Sequence, residues 1–384
     1  MNNPAQEKGF SIKDRSERMS TPPDQTSPKS AASRQGKASP HGTARGENDD
    51  TVPATLEVDP QVAAEIRDND LESFSDTGSL LSSTVSLSES IFEYRKLHGR
   101  TFQKTATTEY WAPNDEQQNE GLDIIHTVLL MALDDKLFLA PVKDDVQRVL
   151  DVGTGTGIWA VDFADQFPAA EVTGTDISPI QPNWVPPNVT FVVDDCLLDW
   201  TWPEDHFDFV HMRCLYGCIP DFGALYAKAF RHIRPGGWIE CVEMDVKIHS
   251  DHVDIPADHV FNLWAQCMYE AGDKLGRTFR IPLGHAMRDH LLDAGFVDVV
   301  EKKVKIPLHG WPKDPHLQKT GYLAQAALDQ SLEGFVLYLL TEVLGWKHEE
   351  AVVLIAKMRS EIKKISYCPW FITTVVYGRK PETL

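Results

Sequence analysis

The sequence predicts an α/β fold in which a mostly parallel sheet carries helices on both faces. Residues 149–159 pass from an apolar strand through Asp151 into a glycine-rich loop and then into a helical pattern. Four more short apolar segments follow, each ending in a polar residue, and helical periodicity separates several of them. Ligands of such sheets bind beyond the carboxyl ends of the strands. We therefore expect the functional site at that edge.

The first element is the loop after strand one, where Gly153, Gly155 and Gly157 alternate with other residues. Glycine lets a ligand approach the main chain closely. A dinucleotide fingerprint requires Gly or Ala where Ile158 stands, and a carboxylate at Asp151 would repel a pyrophosphate. That carboxylate suits the cationic amino acid end of S-adenosyl-L-methionine, which we predict as the cofactor. A nicotinamide-binding Rossmann oxidoreductase is the disfavoured alternative.

The second and third strands, predicted at 171–176 and 189–193, end in carboxylates. A carboxylate at the end of the second strand can accept hydrogen bonds from both ribose hydroxyls. One at the end of the third strand can accept from the adenine amino group. Cofactor contacts are accordingly expected from the residues at these two strand ends, which are Asp176, Ile177, Asp194, Asp195 and Cys196.

The fourth and fifth strands, predicted at 207–211 and 237–243, end at His211 and Glu243. Methyl transfer needs an acceptor held in line with the donor and a group that removes its proton. His211 is a candidate base because its ordinary pKa is suitable, and it is also a candidate cofactor contact. Its alternative is a packing role in the cofactor pocket. Glu243 could act as a base or anchor the substrate.

Aromatic residues precede the first strand. Tyr110 and Trp111 could close over the cofactor, while simple packing of the N-terminal segment is the alternative. A helix is predicted over 122–133, and residues 90–97 could form a helical face. Beyond the fifth strand the sequence predicts further helices and two late strands. The helices are expected at 258–274, 284–294, 317–344 and 347–365, and the strands at 297–306 and 371–377.

Several motifs carry a resemblance to a known family. DVGTGTGIW from Asp151, GTDISPIQP from Gly174, FDFVHMR from Phe207 and RPGGWIE from Arg234 resemble the fungal LaeA-like methyltransferases over residues 88–381. The resemblance implies a Rossmann-like class I methyltransferase sheet whose last strand is antiparallel. It also implies a helical insertion near 307–365 that covers the acceptor site. The sequence departs from the family at Gly121, where arginine is usual.

Composition divides the chain into three regions. Residues 1–87 are rich in Ser, Thr and Pro and become acidic, which predicts a disordered tail. Residues 88–145 are expected to form a helical arm or lid, and 146–384 the methyltransferase domain. A net charge of −20 makes nucleic acid an improbable partner. The sequence has no membrane-span candidate, secretory signal or metal-ligand spacing, which favours the cytoplasm, with the nucleus as the alternative.

The predicted function is transfer of a methyl group to a small-molecule acceptor in fungal secondary metabolism. A LaeA-like regulator of gene expression with the same fold is the alternative. Such a regulator could contact protein partners through residues 1–87. The sequence leaves the acceptor, and the atom that is methylated, open.

Overall fold

The computed structural model describes residues 94–104, 108 and 110–382. Its strands are β1 (Arg95–Leu97), β2 (Arg100–Phe102), β3 (Arg148–Val152), β4 (Glu171–Asp176), β5 (Val189–Val193), β6 (Phe207–Arg213), β7 (Ile233–Met244), β8 (Val297–Pro307) and β9 (Trp370–Arg379). Its helices are α1 (Glu116–Ala132), α2 (Ile158–Gln166), α3 (Phe222–His232), α4 (Val260–Leu275), α5 (Ala286–Asp293), α6 (Pro315–Tyr338), a π-helix (Leu339–Val343) and α7 (His348–Glu361). Residues 1–87, for which the sequence predicts a disordered tail, lie outside the part of the chain that the structure describes.

The central sheet has seven strands in the order β5-β4-β3-β6-β7-β9-β8. Strands β3 to β7 are parallel, whereas β9 runs antiparallel to both of its neighbours. The chain order reverses between β3 and β6, which places a crevice at the end of these two strands. The predicted α/β class with an antiparallel last strand is confirmed.

Strand β3 forms in the middle of the sheet because both of its faces are covered by apolar groups. Val149 and Leu150 are fully buried and belong to different apolar clusters on opposite faces of the sheet. Helix α2 covers one face with Trp159 and Phe163, and it ends just before Pro168, which cannot continue a helix. The glycine-rich loop is thus held between a rigid strand and a packed helix.

The segment before the sheet corrects one expectation. Residues 95–97 form a strand of the β1–β2 hairpin rather than the predicted helical face, because the chain reverses through a turn with positive φ at His98 and Gly99. The hairpin is tied to the predicted helix α1. The carboxylate of Asp115 caps α1 by accepting from the Gln118 amide and also pairs with the Arg100 guanidinium.

The helical insertion lies between β8 and β9 and packs over α1. Helix α6 continues through Gly334, where a Cβ atom would lie 2.0 Å from Oε1 of Gln118 on α1. A Cβ at Gly121 of α1 would lie 2.3 Å from the Ser331 hydroxyl oxygen. Glycine at these two positions therefore lets α1 and α6 approach closely. Among the described residues, no helix is long and apolar enough to cross a membrane.

Candidate active site

A cleft opens at the carboxyl ends of β3 to β6, at the predicted edge of the sheet. It encloses about 930 Å³, part of which is open to solvent. Eight of the predicted cofactor residues line it, namely Tyr110, Gly153, Gly155, Asp176, Ile177, Asp194, Asp195 and Cys196. The structure thus brings residues from the loop and from two further strand ends together with an aromatic residue from the N-terminal segment.

The glycine-rich loop is fixed by hydrogen bonds to β4. The Gly155 amide donates to Oδ2 of Asp176 at 2.8 Å, and the Thr154 amide donates to the Thr175 carbonyl at 2.9 Å. Gly155 has a φ of +58°, and the atom nearest to a Cβ there would be Leu122 Cδ1 at 3.8 Å. The loop backbone therefore faces the cleft without a side chain in front of it.

Asp176 stands at the end of β4 as predicted. Its Oδ1 accepts from the Ser178 amide at 2.8 Å, so each carboxylate oxygen already holds one backbone donor. Burial nevertheless raises the pKa of Asp176 to about 6. Each carboxylate oxygen can accept two hydrogen bonds, which leaves capacity for hydroxyl donors from a ligand.

At the end of β5, Asp195 receives donors from two directions. Oδ1 accepts from the Leu197 amide at 3.0 Å, and Oδ2 accepts from the Thr108 hydroxyl at 2.5 Å. Thr108 therefore lines the cleft as well. The sequence did not indicate this role, because nothing in the pattern around Thr108 shows that it reaches β5. The adjoining segment is held by the Lys228 ammonium, which donates to three consecutive carbonyl oxygens, those of Cys196, Leu197 and Leu198.

The position of Asp151 corrects the expectation that it contacts the amino acid end of the cofactor. Its Oδ2 accepts from the Thr154 hydroxyl at 2.5 Å, and its Oδ1 lies 2.7 Å from Nδ1 of His211. Asp151 is 2% exposed and does not line the cleft. This carboxylate supports the glycine-rich loop from beneath.

His211 is likewise not positioned as a base. Its ring stacks on Trp159 with centroids 3.7 Å apart and an interplanar angle of 3°. It is buried, does not line the cleft, and burial lowers the pKa of its imidazole. His211 therefore belongs to the packing and hydrogen bonding beneath the loop, which was its stated alternative.

Glu243 is the other predicted base, and each of its carboxylate oxygens accepts a hydrogen bond from a backbone amide. Its Oε1 accepts from the Leu215 amide at 2.9 Å and its Oε2 from the Tyr216 amide at 3.0 Å. Burial raises the pKa of Glu243 to about 8. Because Glu243 lines neither the cleft nor the neighbouring cavity, its role is to shape the loop that follows β6.

Two more expected contacts prove to be packing residues. Trp111 is 3% exposed and packs against Phe279 at a ring distance of 5.2 Å, away from the cleft wall. Gly157 is needed because a Cβ there would lie 2.2 Å from the Phe191 ring. Tyr110 does line the cleft, and burial raises the pKa of its phenol.

Arg213 adds a cation to the cleft at the end of β6. Of the described residues that line the cleft, it is the one lysine or arginine. One guanidinium nitrogen lies 2.9 Å from Nδ1 of His126, whose Nε2 lies 2.9 Å from the Asp162 carboxylate. This chain of contacts holds the guanidinium beside the glycine-rich loop, where a ligand carboxylate could pair with it.

A second cavity of about 670 Å³ adjoins the cleft under the helical insertion. Ile125 lines both spaces, and Leu215 lines the cleft while Tyr216 lines the cavity. Most of the cavity wall is apolar and comes from α1, α4, α6, α7 and the residues after β7. Its apolar lining includes Val128, Met244, Trp264, Met268, Leu308, Ala324, Ala327, Leu328, Phe335, Met358 and Phe371. Asp245 is the single charged residue among the sixteen described residues that line it.

The chain was compared with known proteins. A family model described as a methyltransferase domain matches residues 125–301. The methyltransferase pytC of Aspergillus terreus is 38% identical over 301 residues, covering 78% of this chain and 92% of that protein. The secondary metabolism regulator laeA of Monascus pilosus is 33% identical, covering 79% and 83%. The protein-methionine methyltransferase laeA of Emericella nidulans is 32% identical, covering 75% and 77%.

The chain belongs to the LaeA-like class I methyltransferases. Its cofactor is S-adenosyl-L-methionine, and the cleft of this LaeA-like methyltransferase fits that molecule chemically. Carboxylates at the ends of β4 and β5 can accept hydrogen bonds from hydroxyl and amino groups of the cofactor. The backbone of the glycine-rich loop lies next to them after β3, and the Arg213 guanidinium follows at the end of β6. Groups of three or more residues that could hold a metal ion do not occur in the described part of the chain.

Proposed function

We propose that this LaeA-like methyltransferase methylates a small, largely apolar molecule of fungal secondary metabolism. The observation that carries the proposal is the second cavity, which shares Ile125 with the cofactor cleft and is walled by apolar side chains. The space of about 670 Å³ includes volume open to solvent, through which a small molecule could enter. The relative pytC is named a methyltransferase, which agrees with an enzyme.

We assign the cofactor contacts along the edge of the sheet. Asp194 and Asp195 receive the adenine amino group, Asp176 receives the ribose hydroxyls, and Arg213 pairs with the carboxylate of the amino acid end. Gly153, Gly155, Ile177, Cys196 and Tyr110 complete the wall. The bound cofactor supplies a methyl group on a sulfonium, which leaves as a neutral thioether. In this arrangement its reactive end lies toward β6 and β7, beside the second cavity.

The protein contributes mainly by holding the acceptor against that end of the cleft. Fixing two reactants in a productive geometry can lower the barrier by up to about 7–11 kcal/mol. Apolar walls from α4, α6 and α7 would bind the acceptor skeleton and exclude water from the reacting atoms. The loop of Leu215 and Tyr216, held by Glu243, separates the two spaces and fixes their spacing.

A second candidate function is regulation of secondary metabolism with a protein as the methyl acceptor or partner. Two relatives favour it, because one laeA is named a secondary metabolism regulator and another a protein-methionine methyltransferase. In that case residues 1–87 would be the segment that contacts regulatory partners.

The free state of all six cysteines supports a reducing compartment, which we take to be the cytoplasm for the enzyme and the nucleus for the regulator.

Deletion of the gene in its own host, followed by metabolite profiling, tests the proposal. An enzyme of metabolism predicts the loss of one methylated product and the appearance of the same compound lighter by one methylene. A regulator predicts altered abundance of many unrelated metabolites together with changed transcripts of their gene clusters. The gene carrying Asp176→Ala, returned to the deletion strain, serves as the control. If cofactor binding is required, this variant should restore neither the lost product nor the normal levels of metabolites and transcripts.

A further inference from the structure

Asp245 places a carboxylate in the lining of the apolar acceptor cavity, and apolar packing does not explain why a charged residue stands there. It follows the last residue of β7, and its amide donates to the Ile372 carbonyl of β9 at 2.8 Å. The residue is 6% exposed, and it lines the cavity together with fifteen residues that carry no charge. A carboxylate in such a setting is costly unless its oxygens receive hydrogen bonds.

Three groups of the protein supply those hydrogen bonds. Oδ1 accepts from the Lys247 amide at 3.0 Å and from the Tyr269 hydroxyl at 2.7 Å. Oδ2 lies 3.2 Å from Nε2 of His249. A carboxylate oxygen accepts two hydrogen bonds, so Oδ1 is saturated and Oδ2 retains capacity for one more donor. That remaining position is available to a donor in the cavity.

His249 connects this buried carboxylate with the solvent. Its side chain is 28% exposed, whereas the side chain of Asp245 is 3% exposed. The imidazole is held by stacking on Trp370, with ring centroids 4.7 Å apart and an interplanar angle of 18°. On the other side Tyr269 stacks under the Arg280 guanidinium at 4.5 Å. The carboxylate is therefore fixed from both sides, and one of its partners can exchange protons with water.

The order of the strands places Asp245 on the acceptor side. Along the edge, Asp194 follows β5, Asp176 ends β4, the glycine-rich loop follows β3, Arg213 ends β6 and Asp245 follows β7. The proposed adenine, ribose and amino acid contacts occupy the first four of these positions. The next carboxylate in the row faces the space where the acceptor would lie.

We infer that Asp245 is the catalytic residue that accepts the proton of the acceptor, that His249 is a positioning residue that donates to Oδ2, and that the acceptor group is a phenol-type hydroxyl on an apolar skeleton. This inference rests on the proposed function. One open lone pair on Oδ2 matches the single donor of a hydroxyl. An ammonium would bring three donors and leave two of them facing apolar walls.

The step balances as an O-methylation. The acceptor oxygen forms a bond to the methyl carbon, and the electron pair of the carbon–sulfur bond remains on sulfur as a neutral thioether. The proton of the hydroxyl moves to Oδ2 of Asp245 and passes to water after the product leaves. Phenols, with an ordinary pKa of about 10, give up this proton far more readily than aliphatic alcohols.

Binding of 4-nitrophenol to the full-length protein without cofactor tests the inference, because its phenolate absorbs visible light. We expect the wild-type chain to bind the neutral phenol as a donor to Asp245, which raises the apparent pKa of the bound probe by about one unit or more. Asp245→Asn should abolish that rise and weaken binding roughly tenfold. Asp254→Asn, at an exposed residue of the following loop, is the matched control and should change neither quantity.

The methyl ether 4-nitroanisole has the same skeleton but no hydroxyl, so its affinity should be equal in the wild-type and Asp245→Asn chains. Equal binding of both probes in both chains, with no pKa change, overturns the assignment of Asp245 while leaving the acceptor cavity intact. Failure of both probes to bind wild type overturns the acceptor cavity itself. With S-adenosylmethionine added, His249→Phe should lower kcat for 4-nitroanisole formation with little change in KM, and His249→Gln, which keeps an N–H donor, should restore kcat. An unchanged kcat in His249→Phe, or a kcat that stays low in His249→Gln, contradicts the positioning role.

Discussion

The cofactor cleft and the acceptor cavity share a wall but are built in different ways. The cleft combines apolar side chains with polar residues at the ends of consecutive strands, and its carboxylates and glycines lie between residues 153 and 195. The cavity is lined by apolar residues from position 125 to position 371, supplied by four helices and by segments beside β7 and β9. The first is encoded by local motifs and the second by packing of distant helices. Substrate choice can thus vary without altering the cofactor motif.

The acids at the edge of the sheet show a similar contrast between single residues. Asp176 and Asp195 open into the cleft, whereas Asp151 and Glu243 hold hydrogen-bond donors of the protein beneath it. Glu240 also belongs to the second group, accepting from the Leu139 and Ala140 amides. An acid near the end of a strand therefore contacts ligand only where the following loop leaves its oxygens uncovered.

The largest expected effect comes from Gly157→Ala, which would break the cleft. The new Cβ would lie 2.2 Å from the Phe191 ring at a residue with a φ of +82°. Left-handed backbone costs an alanine about 1–2 kcal/mol, and overpacking adds about 1–3 kcal/mol. Thermal unfolding and calorimetry with S-adenosylhomocysteine should show both a lower melting temperature and lost binding. Gly276→Ala, with a φ of +65° and no atom within 4 Å, is the matched control and should lose only the backbone contribution.

Asp176→Ala should weaken the cleft without unfolding it. If the ribose hydroxyls donate to this carboxylate, cofactor affinity falls by about 1.5–3 kcal/mol, measured by calorimetry with S-adenosylhomocysteine. Asp165→Ala, at an exposed residue of α2, should leave affinity unchanged. An unaltered affinity in the Asp176→Ala chain would remove the ribose assignment.

Ala327→Phe should affect the acceptor cavity alone. Ala327 is 2% exposed and lines the cavity, so the larger ring would occupy acceptor space. Affinity for 4-nitroanisole should fall roughly tenfold, about 1.4 kcal/mol, while affinity for S-adenosylhomocysteine stays within about twofold. The neighbouring exposed residue provides the control Ala326→Phe, which should alter neither affinity. Parallel loss of both ligands would mean that the two spaces are not independent.

The remaining expected effect is a pH dependence of stability, which comes from the acids beneath the cleft. Burial raises the pKa of Glu243 from 4.5 to about 8 and that of Glu240 to about 7, so the folded protein binds protons that the unfolded chain releases. The free energy of unfolding should accordingly fall as pH rises from about 5 to 8, by up to about 1.4 kcal/mol per pH unit for each group. Chemical denaturation measures this slope. Glu243→Gln should reduce it, and the exposed Glu171→Gln should not.

Much of the fold could be predicted from periodicity. The strand and helix order after residue 115 follows the sequence pattern closely, and even the late strands at 297–307 and 370–379 were expected within a few residues. The N-terminal hairpin was not, because Tyr94 and Leu97 fit a helical face until the turn at Gly99 reverses the chain. Thr108, which donates to Asp195, comes after that reversal in the chain.

The sequence by itself determined the sheet, the glycine-rich loop and the three carboxylates that line the cleft, since each depends on residues adjacent in the chain. Only the tertiary structure decided that Asp151, His211 and Glu243 face protein donors and packing partners, and that Asp245 faces an apolar cavity. The physical reason is that a local pattern fixes which strand end carries an acid. Which atoms cover that acid is set by distant chain segments, such as the Leu139 amide that lies 101 residues from Glu240.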